Sequence, residues 1–130
     1  MPITHTVTRS YKDQSSVTSQ LIEAVTGNAE LNLDVLVPIA ANTQYHMAFT
    51  HANLQSLLLY AADAVTIYTN AASTGAPQDT IPLAAGQARV WTLATDLIAK
   101  CPFSADVTTL YITNATAASV TVRIRALTNQ

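Results

Sequence analysis

Residues 106–127 read DVTTLYITNATAASVTVRIRAL, and this stretch limits the possible fold more than any other. In its second limb Val120, Val122, Ile124 and Ala126 alternate with Thr121, Arg123, Arg125 and Leu127. A period of two puts apolar side chains on one face of an extended strand and largely polar ones on the other. The first limb, 107–113, mixes Thr, Leu, Tyr and Ile, the β-branched and aromatic types that suit a pleated surface. Asn114 and the short residues after it supply a turn, so the segment reads as a β-hairpin closing a sheet. A helix of this composition would carry too many side chains restricted at χ1.

The same texture recurs upstream. Residues 17–26 alternate around Val17, Leu21 and Val25 and end at the turn signal Gly27-Asn28, while Leu31, Leu33, Val35 and Val37 alternate with Asn32, Asp34 and Leu36 up to Pro38. Pro38 lacks a ladder donor, which places it at a strand end. A loop at 39–43 leads to a short strand at 45–50. Leu54, Leu57, Leu58, Ala61, Ala62 and Val65 fit a helical stripe, yet it would run into the β-branched Val65-Thr66-Ile67. Two strands, 54–60 and 64–70, fit better. Strands at 80–83 and 88–92 follow, the second carrying the only tryptophan, Trp91. Leu93, Leu97 and Ile98 have the spacing of one helical turn before Pro102.

These readings give an all-β chain: a single antiparallel β-sandwich, jelly-roll-like, with about eight or nine strands and at most one short helical turn. At 130 residues there is room for one domain. The boundaries expected are a polar segment at 1–16, either an extended arm or an edge strand, and a sandwich at 17–130. The segment alternates threonine with Ile3, Val7 and Tyr11, so it has strand propensity but few apolar groups to order it alone. Ile3, Val7 and Tyr11 are therefore the candidate interface residues, poised to add to a neighbouring sheet edge.

Charge narrows the function classes. Only 11% of the residues are charged, against about 25% in ordinary soluble domains, while 49% are hydrophobic. A surface built of Thr, Ser, Asn, Gln and Ala loses little hydration when covered, which points to extensive subunit contacts. The net charge is −2 and the six basic residues are scattered, so nucleic acid is not an expected partner. No run approaches the roughly 18 apolar residues of a membrane span, and the first residues lack the form of a secretory signal. Membrane is not an expected partner either, and synthesis in the cytosol is the expectation.

Catalytic and ligand-binding signatures are sparse. His5, His46 and His51 lack metal-site spacing, and no metal or cofactor is expected. Asp63, Asp79, Asp96 and Asp106 each stand beside a loop or strand start, where a carboxylate ordinarily accepts backbone N–H bonds. Cys101, the single cysteine, reads as a small packed hydrophobe. Asn114-Ala115-Thr116 has the form of a glycosylation sequon but reads as a turn. Trp91 reads as a core residue, with stacking on a sugar as the alternative. No catalytic residue emerges, and the chain is not expected to be an enzyme.

Four stretches together carry a resemblance: 79–86 (DTIPLAAG), Val90-Trp91-Thr92, 105–114 (ADVTTLYITN) and 120–127. In strand texture and turn residues they resemble the small β-sandwich virion structural proteins of tailed bacteriophages, over about residues 64–127. The resemblance implies a capsid decoration, or cement, protein on the outer surface of the virion head, often a homotrimer, whose partners are itself and the major capsid protein. The alternative is a tail- or fibre-associated sandwich that binds host surface glycans, which requires an exposed aromatic platform with polar neighbours.

Overall fold

The computed structural model describes residues 2–12 and 17–129, so Met1 and residues 13–16 of the N-terminal segment lie outside it. Ten strands follow in order: β1 (Ile3–Lys12), β2 (Val17–Gly27), β3 (Ala29–Val37), β4 (Ala40–Phe49), β5 (Leu54–Ala61), β6 (Val65–Thr69), β7 (Thr80–Leu83), β8 (Arg89–Thr92), β9 (Val107–Asn114) and β10 (Val120–Thr128). Single 3-10 turns stand at His51–Asn53 and Ile98–Lys100. The all-β sandwich expected from the sequence is present, and the described residues form ten strands rather than eight or nine. Among the described residues no helix is long and apolar enough to cross a membrane.

Eight strands make two antiparallel sheets in the orders β3-β10-β5-β8 and β4-β9-β6-β7. The pairings nest: β6 pairs β7, β5 pairs β8, β4 pairs β9 and β3 pairs β10. The chain from Ala29 to Thr128 is thus one long antiparallel ribbon, bent back at the β6–β7 connection. Its curl is fixed where β10 also pairs β5 and β9 also pairs β6. That winding is the jelly roll, with the short strands β7 and β8 as the edges on one rim and the long strands β3 and β4 as the edges on the other.

Period-two patterning decides which way each strand faces. In β10, Val120, Val122, Ile124 and Ala126 point inward and are buried, with Trp91 in the same core. Leu57, Leu59 and Ala61 line the core from β5, and Val65 and Ile67 from β6. The helical reading of this stretch fails because the face actually buried has spacing two, not three or four. The Trp91 indole N–H donates to the Leu97 carbonyl at 3.1 Å, which satisfies its one polar atom. Phe49 and Phe103 meet edge to face at 5.3 Å between ring centres.

Two expectations about boundaries change. The stretch 39–43 is not a loop: β4 begins at Ala40, with Asn42 at φ 55° and a register irregularity between Ala40 and Thr43. Asparagine tolerates the left-handed region, so it can carry a bulge without glycine. The second change concerns β2. It pairs only with β1, from Ile3 opposite Gly27 to Lys12 opposite Val17, as a two-stranded hairpin separate from both sheets. The four-stranded sheets therefore begin at Ala29 rather than at residue 17.

Candidate functional site

The hairpin β1–β2 is docked on the outer face of the β3-β10-β5-β8 sheet, beside β5 and β10. Outward-facing residues of that sheet are covered there: Leu127, Ser56 and Thr92 are buried although they lie outside the central core. Val25 is the hairpin's buried counterpart. Close approach is possible because residue 27 is glycine. A Cβ at that position would lie 2.6 Å from the Thr128 carbonyl oxygen and 2.8 Å from Leu127 Cγ. The next residue ties the junction down, the Asn28 N–H donating to the Thr128 carbonyl at 2.9 Å.

Three polar clamps complete the docking. Arg9 grips Asp96 with both terminal nitrogens, at 3.1 and 2.6 Å, the planar two-bond geometry that suits guanidinium and carboxylate. His5 Nε2 lies 2.9 Å from Glu30 Oε1. Glu23 accepts a short hydrogen bond from the Thr95 hydroxyl through Oε2, while its Oε1 is buried without a partner among the described residues. The Asp96 carboxyl is held below its usual range chiefly by the Arg9 hydrogen bond. That of Glu23 is held low by hydrogen bonding from Thr92 and Thr95, with Arg9 nearby. Glu30 is lowered first by His5 and then by Asn32, with Arg125 adding a favourable charge. Along the β1 side runs an open groove of about 490 Å³, lined by His5, Val7, Leu58, Val90 and Arg125 among others.

A carboxylate made more acidic by folding stabilises the docked state above its ordinary range and loses that contribution as pH falls through its depressed value. All three clamps contain one, so the contribution of these carboxylates to docking is lost below about pH 4. In an NMR titration the backbone amides of β1 move together below that point, while those of β10 stay in place. Amides of β1 that do not move even near about pH 2 refute the clamp assignment.

The candidate interface residues share one face of β1. Ile3 and Val7 are half-buried on the sandwich side, with Val7 in the groove, whereas Tyr11 is 70% exposed. Leu21, opposite Arg9 on the same face, is 47% exposed, and Ile22 on the reverse face is 63% exposed. Tyr11, Leu21 and Ile22 thus place large, mainly exposed apolar groups on both faces of the hairpin. Tyr11 was legible as alternating strand texture. Leu21 and Ile22 were not, because their stretch patterns as an ordinary sandwich strand.

The remaining residues singled out by sequence take structural posts. Asp63, Asp79, Asp96 and Asp106 accept backbone N–H bonds from Ala64, Ser104, Thr92 and His51 at 2.7, 3.0, 2.9 and 2.8 Å. Asn114 is 1% exposed. Its side-chain amide donates to the Val37 and Ala118 carbonyls, and its oxygen accepts from Thr116, so it pins the β9–β10 turn to the end of β3. Cys101 packs against the core, and burial pushes its thiol up, away from the reactive thiolate. His46 faces outward on β4, and His51 sits in the first 3-10 turn. These histidines are dispersed, one on the hairpin, one on a strand and one in a turn.

No family model matches the chain, and no curated protein does. Among solved structures, one described as "Bacillus endospore appendages form a novel family of disulfide-linked pili" is similar at a TM-score of 0.42 and 18% identity, over 78% of this chain and 87% of that one. A likeness of that degree carries no argument about function.

Proposed function

We propose that the protein is a non-enzymatic structural subunit of a phage virion, a decoration protein that binds the outer head and itself, in the manner of a homotrimer. The observation that supports this reading is the far half of the β1–β2 hairpin. Tyr11, Leu21 and Ile22 stand exposed on both faces of a two-stranded ribbon that is clamped to its own sandwich through His5, Arg9 and Glu23. A ribbon with apolar groups on both faces is suited to insertion against a neighbour, where they leave water. Each such contact is small, but a symmetric cluster attached at several points gains avidity without any new contact. The low charge of the chain supports the same role, since hydroxyl and small apolar surface is covered at less desolvation cost than ion pairs.

Immunogold electron microscopy of purified particles from the source tests the reading. Label distributed over the heads is the expected result. Label confined to tails or fibres moves the protein to a tail-associated role, and particles that carry no label overturn the assignment to a virion.

A further inference from the structure

The two sheets of the sandwich differ sharply in charge. The chain contains fourteen charged residues, six basic and eight acidic. On the outer face of β3-β10-β5-β8, Asp34 pairs with Arg123 and Arg125, and Glu30 lies at the hairpin clamp. In β4, β6, β7 and β9 no residue is Asp, Glu, Lys or Arg. An entire four-stranded sheet, one face of it open to solvent, is thus built without formal charge. Exposed sheet faces ordinarily carry charges of both signs, which keep them soluble and guard against pairing with other sheets.

The outward positions of this sheet form registered rows. Gln44 stands opposite Tyr111, Tyr111 opposite Tyr68, and Tyr68 opposite Thr80. The adjoining row holds Thr113, Thr66 and Pro82. His46 opposite Thr109 stands on the other side of the tyrosines. Inward parity is settled by the buried Ile67, Leu110, Ile112 and Ile81, so both tyrosines stand on the outer face, each partly exposed. The centre of the face is therefore two cross-strand neighbouring tyrosines bordered by amide, imidazole and hydroxyl groups.

We infer that this face binds an uncharged polysaccharide. A sugar ring offers a flat array of C–H groups to an aromatic ring and a rim of hydroxyls that both donate and accept, and the two tyrosines with their Thr and Gln neighbours present the complement of each. The absence of formal charge decides the ligand class: an anionic glycan would meet no cation here, and a neutral one leaves no buried charge unpaired. A second copy of the chain fits less well, because the tyrosines are bordered by Thr66, Thr80, Thr113, Gln44 and His46, polar groups that a sugar's hydroxyls pair with and that the apolar core of a homomeric interface would leave unpaired. The inference does not depend on where the protein is attached.

Affinity electrophoresis in gels cast with dextran, mannan or xylan, with heparin as the charged control, tests it. The expected result is retardation by at least one neutral polymer that persists in raised salt, since no ion pair is involved. Tyr111→Ala and Tyr68→Ala each weaken it by roughly tenfold, the scale of one lost aromatic contact, while Arg123→Ala on the opposite sheet leaves it unchanged. Gln44→Ala, at an exposed edge position, carries the test if a tyrosine variant fails to fold. Free migration in all three neutral gels, retardation by heparin alone, or light scattering in which the tyrosine variants dissociate an oligomer would overturn the inference, the last by making the face a subunit interface.

Discussion

Ile124→Ala lowers the free energy of unfolding by about 2–5 kcal/mol, the cost of removing buried methylenes and leaving a void that the surroundings only partly fill. The upper part of that range is expected from where the residue sits. Ile124 is fully buried at the middle of β10, which is itself interior to its sheet, between Leu33 of β3 and Leu59 of β5. Neighbours on both flanks are held in ladder register, so the site has little freedom to collapse. Arg123→Ala, one residue earlier, leaves the transition close to that of the parent, because the side chain is exposed and lies 3.8 Å from an exposed Asp34. Urea melts of the two variants check the pair: the midpoint falls strongly for the first and barely for the second, at unchanged slope. The reverse ranking would mean that β10 is shifted by one residue, since a single-residue slip exchanges the two faces.

This contrast also marks what the sequence makes legible. β9 from Thr109 and β10 as far as Ala126 alternate because one face is core and the other is not, so period two states their orientation directly. Two of the four aspartates are legible for a similar reason: Asp63 and Asp96 stand within four residues of the N–H groups they accept from, whereas Asp79 and Asp106 accept from Ser104 and His51, donors on segments that only the fold brings near. β2 is different. Val17, Leu21 and Val25 have the pattern of a sandwich strand, but Val25 is buried while Leu21 is largely exposed, and the cover over Val25 is the outside of another sheet. Alternation reports that a strand has two unlike faces and says nothing about which layer receives them. Arg9 and Asp96 lie 87 positions apart, and Glu23 and Thr95 lie 72 apart. Such clamps are set by the way the ribbon curls, which no local spacing encodes. The uncharged sheet is intermediate: the lack of charge is visible strand by strand, but the meeting of Tyr68 with Tyr111 exists only once β6 and β9 are known to pair.

Deleting residues 1–16 separates folding from assembly. The central core draws on residues from β3 to β10 and the segment before β9, with no member from β1 or β2. The truncated chain therefore keeps one cooperative transition, displaced downward by no more than about 10 °C as the Arg9–Asp96 and His5–Glu30 clamps are lost and β2 is left without its partner strand. Its self-association is expected to fail outright. Tyr11 is removed, and Leu21 and Ile22 remain on a single strand with unpaired backbone groups, no longer on a ribbon stiff enough to present them. Light scattering then falls from the mass of a trimer to that of one chain, and the truncated protein no longer cosediments with particles. Two results would contradict this. A truncated chain that remains a trimer removes the hairpin from the interface. One that loses its cooperative transition makes β1 an integral part of the fold and shifts the attachment surface to the sandwich, where the long β3 and β4 edges are the strands left able to accept a neighbour.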